Sequence, residues 1–217
     1  MADKRKKKQT RRGREATTAA ILDVAEELFS AHGYDAVAVR DIAARAGISH
    51  PIVHKYVGSK ADVLRAVLAR DEGLIASAAP ANPDLIESAS LMWRRGLGQD
   101  GLAYLRLVVR AALDGLPYDR TPGQFEGTER LIELAEQAAA SATPAERAAT
   151  DLDPRVAIAA AVSLFLGWAA TESWVRPAAG LQDMDDAELI DGLERVVLGI
   201  LRENVPGVER AGASRGE

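Results

Sequence analysis

The chain has 217 residues, a formal net charge of −5, no cysteine and ten aromatic residues. Without thiols there are no disulfides, thiolate zinc sites or cysteine nucleophile. All three histidines fall within the first 54 residues and no carboxylate cluster has metal-ligand spacing, so no enzyme, metal or cofactor is expected.

The charge is unevenly spread. Residues 1–70 carry 14 Lys and Arg against 8 Asp and Glu, a net of +6, whereas residues 71–217 carry 13 against 24, a net of −11. A basic N-terminal part that meets a polyanion, joined to an acidic part that does not, is the simplest reading. The competing reading is a solubilising tail on an ordinary helical protein.

Ala and Leu dominate and no period-2 segment is sustained, so the fold class is all-α. Residues 1–14 hold eight Lys and Arg with no apolar face and read as a basic disordered arm. No apolar stretch follows them, which argues against a secretory signal. From Ala16, apolar positions at Ala20, Ile21, Val24, Ala25, Leu28 and Phe29 mark a first helix ending at Gly33. Val39 to Ala46 form a short second helix, Gly47 supplies a turn, and Ser49 caps a third helix in which Pro51 is tolerated. Ser59 caps a fourth, beginning near Lys60 and running to Ala79-Pro80.

Further on, Asn82-Pro83 opens a helix with Leu85, Ile86, Ala89, Met92 and Trp93. Asp100 caps the next, which stops at Gly115-Leu-Pro117. Thr121-Pro122-Gly-Gln124 has capping-box form, and one short helix is expected after Thr143. Asp153-Pro154 starts an apolar helix reaching Val175, and a last helix spans about Asp185 to Glu203. The most apolar segment, Val156 to Ala170, is shorter than a bilayer span and reads as a buried helix. No membrane association and a cytoplasmic location are expected. About nine helices divide into an arm (1–14), a basic domain (15–69), an acidic domain (70–205) and a loose tail (206–217).

The second and third helices are too short to stand alone and must be held by the first and fourth. With Ile48, Val53 and Val57 inward, the third presents His50, Pro51, Ile52, His54, Lys55 and Tyr56. A helix displayed in this way fits the major groove of double-stranded DNA. Arg40, Arg45 and Lys60 sit where they could hold phosphates, and residues 1–14 could track the backbone or enter the minor groove. A zinc site on His50 and His54 lacks the intervening Glu of a zincin helix.

These residues carry a specific resemblance. The stretch Ala16–Leu68 resembles the N-terminal domain of the TetR family of transcriptional regulators. It matches in Gly33-Tyr34, in Ile42, Ala43, Ala46, Gly47, Ile48 and Ser49, and in Tyr56, Ser59 and Lys60. The family usually has Thr at one or both positions held by Val37 and Ala38, where it caps the second helix and touches phosphate. Here that cap is expected to be weaker, or to come from backbone and Asp35. Pro51-Ile52-Val53-His54 and Val57 also depart from the common pattern, so no relative's operator can be borrowed. Helix 3 residues with Ser49, Arg40, Arg45 and Lys60 form the expected DNA-binding set.

The resemblance implies a homodimer built on the last two long helices, a palindromic operator and a small-molecule effector. Ala157, Ala161, Leu164, Leu189, Leu193, Val196, Val197 and Ile200 are the expected dimer residues. Met92, Trp93, Leu97, Tyr104, Leu105, Val108, Phe125, Phe165, Trp168 and Trp174 are the pocket candidates for a mostly apolar ligand. The implied function is a repressor that its ligand releases from DNA. The alternatives are a regulator without a small-molecule effector, and a helical adaptor whose basic arm is incidental.

Overall fold

Ten helices and no strand make up the described residues of the computed structural model, which are 2–76, 83–115 and 125–208. The all-α expectation is met. The chain divides into two units, Met1–Asp71 with Leu107–Gln124, and Glu72–Arg106 with Phe125–Glu217.

In the first unit, α1 (Ala2–His32) is one 31-residue helix, so the segment expected to be an unstructured arm continues the first helix. Lys, Arg and Gln favour helix, and Gly13 is bridged by the Thr17 hydroxyl, which donates to the Gly13 carbonyl at 2.8 Å. Gly33 ends α1 with φ +80°. Next come α2 (Val39–Arg45), α3 (His50–Tyr56) and α4 (Lys60–Ala76). Ile21, Phe29, Ile42, Val53, Val63 and Val67 are all fully buried, one contribution or more from each helix. Such burial is worth about 1.5–3 kcal/mol per large side chain and offsets the poor helix-forming tendency of seven-residue segments. Ion pairs from Arg70 to Asp23 (2.6 Å) and to Glu26 (2.5 Å) tie α4 to α1.

The second unit holds α5 (Leu85–Gly96), α7 (Glu126–Ser141), α8 (Pro144–Ala148), α9 (Pro154–Ala178) and α10 (Asp186–Asn204). Helix α6 (Gln99–Leu113) begins in this unit and ends in the first. Two caps differ from expectation: Asp84, not Asn82-Pro83, caps α5, with Glu87 completing a capping box, and α6 starts one residue before Asp100. Residues 121–124, expected to cap α7, and Ala79-Pro80 lie outside the described residues. Phe125 is the N-cap of α7 in the left-handed region, φ 62°.

Helix α9 packs against α7 and α10, with Ile158, Ala161, Phe165 and Ala169 buried. It runs through Pro177 to Ala178, longer than the sequence suggested. At 25 residues it is the one helix among the described residues long and apolar enough to cross a membrane by length and composition, so shortness does not argue against a span. Trp93 and Phe165 pack with ring centroids 5.1 Å apart, and a Cβ on Gly96 would lie 2.0 Å from the Phe165 ring.

Among the described residues, one charge is buried in this unit. Glu194 on α10 is 5% exposed and accepts hydrogen bonds from Arg94 and Ser90 on α5, while Arg94 also reaches Asp191 at 2.8 Å. Removing Arg94 leaves a carboxylate desolvated without its counter-charge, a loss that the half-exposed position of Arg94 moderates. Arg94→Ala is therefore expected to lower stability in denaturant unfolding by about 2–3 kcal/mol. Loss of the exposed Arg130–Glu133 pair, in Arg130→Ala, is expected to cost no more than about 0.5 kcal/mol. Equal effects would show that the buried pair does not hold α5 to α10.

Candidate nucleic-acid interface

The turn between α2 and α3 is set by Gly47, whose φ of +67° suits glycine. The Gly47 amide donates to Ala44 at 3.2 Å and the Ile48 amide to Ala43 at 3.0 Å, closing the turn on the end of α2. Val37 is buried and gives no cap. The N-cap of α2 is Ala38, whose amide donates to the Asp41 carboxylate at 3.0 Å. The cap thus comes from Asp41, not Asp35, because the third helical residue reaches back where the N-cap side chain cannot reach forward. Ser49 holds the N-cap position of α3, but its hydroxyl makes no cap bond, contrary to expectation.

Helix α3 is anchored by Val53, which is 0% exposed, with Ile48 and Val57 half-buried beside it. Its outer surface carries exposed His50, Pro51, His54 and Lys55, with Ile52 and Tyr56 half-buried. The His50 and His54 rings meet edge to face at 4.7 Å. Arg14 of α1 lies 5.4 Å from the Tyr56 ring centroid and Lys55 lies 5.9 Å from it, so three residues of the two helices form one cationic edge. Among the described residues no three His, Asp or Glu gather to hold a metal.

The basic candidates differ in their surroundings. Arg40 has a side chain 83% exposed, with Asp41 at 3.6 Å. Arg45 pairs with Glu27 of α1. Lys60 is directed inward: its ammonium donates to the Tyr34 carbonyl at 2.7 Å and sits 4.0 Å from the Tyr34 ring. Lys60 thus braces α4 against the loop after α1. The same loop is also held through the Tyr34 amide, which donates to Asp114 at 3.1 Å, and Arg110 bonds Asp114 at 3.3 Å. Burial pushes the Tyr34 phenol above its ordinary value. Sequence reasoning missed Asp114 because nothing local marks a partner 80 residues away.

The other candidate residues separate by face. Trp93, Leu97, Tyr104, Leu105 and Phe165 are buried, and Met92, Phe125 and Trp168 half-buried. Val108 is buried in the first unit. Trp174 is 81% exposed and lines no interior site. Of the expected dimer residues, Ala157, Ala161, Leu189 and Val197 are buried within the protomer. Leu164, Leu193 and Ile200 are half-buried, and Val196 is exposed. The exposed stripe of α9 is instead Val156, Ala160, Ser163, Gly167, Ala170 and Trp174. An all-round apolar helix gives periodicity nothing with which to choose its inner face.

A seven-residue helix pinned by one valine, displayed after a glycine turn and flanked by cations, is the reading head of a helix-turn-helix DNA-binding regulator. The chain belongs to the tetR family of bacterial regulatory proteins, whose N-terminal profile matches residues 21–67. It is 33% identical over 181 residues to the HTH-type transcriptional repressor Rv3405c of Mycobacterium tuberculosis, covering 82% of this chain and 85% of that one. HTH-type transcriptional regulator Mb3439c of Mycobacterium bovis matches to the same extent. Among solved structures, the fold is similar to NalD of Pseudomonas aeruginosa (TM-score 0.54, 21% identity, 88% of this chain and 96% of that one). It is also similar to the fatty acid degradation regulator FadR of Bacillus halodurans (TM-score 0.54, 19% identity, 85% and 96%). The chain is thus a DNA-binding transcriptional regulator.

The entry to α4 supports a pH test. Ser59 and Asp62 form a reciprocal cap: the Ser59 amide and hydroxyl donate to Asp62 at 2.8 and 2.6 Å, and the Asp62 amide donates back at 3.2 Å. The Ser59 hydroxyl, then its amide, hold the Asp62 carboxyl below the ordinary 3.8. A depressed carboxyl stabilises the fold above its unfolded value, and that contribution is lost as pH falls through the folded one. Asp62→Asn is expected to cost about 0.5–1 kcal/mol at neutral pH. Its deficit against the parent chain should close as pH drops below about 3.8. A pH-independent deficit in denaturant titrations would contradict this role.

Proposed function

We propose that the chain is a homodimeric repressor that reads a palindromic operator through α3 and is released from it by a small, mostly apolar ligand. The observation that carries the reading is the exposed polar surface of α3, His50, Pro51, His54 and Lys55, on a helix whose Val53 is wholly buried. In this reading Arg40 and Arg45 contact phosphate, with Ser49, Ile52 and Tyr56 at the margin of the groove. Repression is supported by the Mycobacterium tuberculosis relative, which is a transcriptional repressor.

Dimerisation is supported by the stripe on α9. Ala160, Ser163, Gly167 and Ala170 would let a second helix approach closely, while Val156 and Trp174 leave large apolar area in water, as does Val196 on α10. A two-fold pairing there would give a dimer carrying two copies of α3, as a palindromic operator requires.

Ligand response is supported by two features. Helices α4 and α6 each run from one unit into the other, and the end of α6 carries the Asp114 and Arg110 contacts to the loop after α1. In the second unit the described buried side chains are mostly apolar, Glu194 apart. The close packing of Trp93 and Phe165 over Gly96 makes the half-buried Met92 and Trp168 the better pocket walls. Coupling of about 1–3 kcal/mol would weaken operator binding roughly 5–150-fold.

Two measurements test this reading. His54→Ala with Lys55→Ala is expected to reduce affinity for a selected duplex at least tenfold, about 1.4 kcal/mol, without changing the thermal unfolding midpoint, since both side chains are exposed. Unchanged affinity would exclude α3 as the reading element and favour the adaptor alternative. Trp174→Glu is expected to shift sedimentation from dimer toward monomer, and a dimer of unaltered strength would remove α9 from the interface.

A further inference from the structure

We infer that the N-terminal half of α1 is a second DNA-contacting element, a basic helix that follows the phosphate backbone beyond the half-site occupied by α3. The inference rests on the DNA-reading role proposed for α3. Three observations carry it. Residues 4–14 hold eight Lys and Arg, against Asp3 and Glu15 as the nearest acids. The backbone from Ala2 to His32 is one uninterrupted helix, so these residues continue the first helix of the folded unit. Arg14 sits 5.4 Å over the ring of Tyr56 in the last turn of α3, which shows where α1 passes the reading head.

From Arg14 back to Ala2 the helix rises about 18 Å at 1.5 Å per residue. That is room for several phosphates along one strand. Like charges three and four apart oppose a helix in water, as between positions 4 and 8 or 8 and 12. A row of phosphates removes that repulsion, so binding DNA and holding this helix favour each other. Phosphate contacts made in this way add affinity without adding sequence information. The chain as a whole is acidic, so this segment also decides which face meets the duplex first.

The test compares the full chain with a full-length variant in which the seven Lys and Arg between positions 4 and 12 are changed to Gln. Glutamine keeps helix propensity and removes charge. The probe is a duplex about four helical turns long, centred on a sequence recovered by selection from a random pool. The slope of log affinity against log salt is expected to fall by about two to three per protomer, corresponding to about three phosphates. Hydroxyl-radical protection outside the half-sites should vanish while the selected consensus stays the same. Thr10→Pro, which retains every charge, should lose the outermost protection because the helix is broken.

Equal salt slopes and equal flanking protection in parent and Gln variant would overturn the inference. A changed consensus in the Gln variant would also overturn it, since the segment would then be reading bases. Full outer protection in Thr10→Pro would refute the helical form. A parent chain with no sequence preference at all would remove the α3 reading itself, and this inference with it.

Discussion

Everything this protein does with DNA depends on burying Val53. Helix α3 has seven residues, fewer than an isolated helix needs in water, so its shape is borrowed from the core beneath it. Val53, Ile42, Ile21 and Phe29 are all fully buried in one unit, and the Gly47 turn sets the angle at which α3 leaves α2. One inward side chain then leaves the rest of a short helix free to face outward. A protein that reads DNA benefits from this economy, because residues facing the groove can change without disturbing the anchor.

Around that anchor, polar contacts orient rather than drive the fold. Lys60 and Asp114 both hold the loop at Tyr34, one through its carbonyl and one through its amide, and the Ser59–Asp62 cap starts α4 where Lys60 can reach that loop. Arg70 joins α4 to α1 through two carboxylates. Most of these pairs are partly exposed and individually weak. Their value lies in fixing where the short helices sit, which is what recognition of a groove requires. In the second unit the buried Glu194 pairing with Arg94 does comparable work between α5 and α10.

Much of this could be read from the residues alone. The period of α1, the glycines at 33 and 47, the position of Ser59 and the inward Val53 all follow from local chemistry, and local chemistry decided them. The harder cases share one cause, which is that the deciding partner is remote or the pattern is symmetric. Lys60 looks like a surface cation until Tyr34 is placed beside it. Ala157 and Ala161 look like interface residues until the turn of α9 assigns them inward and leaves Ala160 and Gly167 outward. Trp174 looks like a pocket residue because tryptophans are usually buried. Its exposure follows from the face on which it falls, not from its type. The first fourteen residues read as disordered because their composition lacks an apolar face, yet α1 begins at Ala2.

Selection of bound duplexes from a random pool tests the central claim most directly. A single α3 displayed by each of two paired protomers requires a consensus with two-fold symmetry, its half-sites centred about one helical turn apart or a whole multiple of it. That consensus is the result expected here. Recovery of no preferred sequence, or of a single unsymmetrical site bound by a monomer, would contradict it.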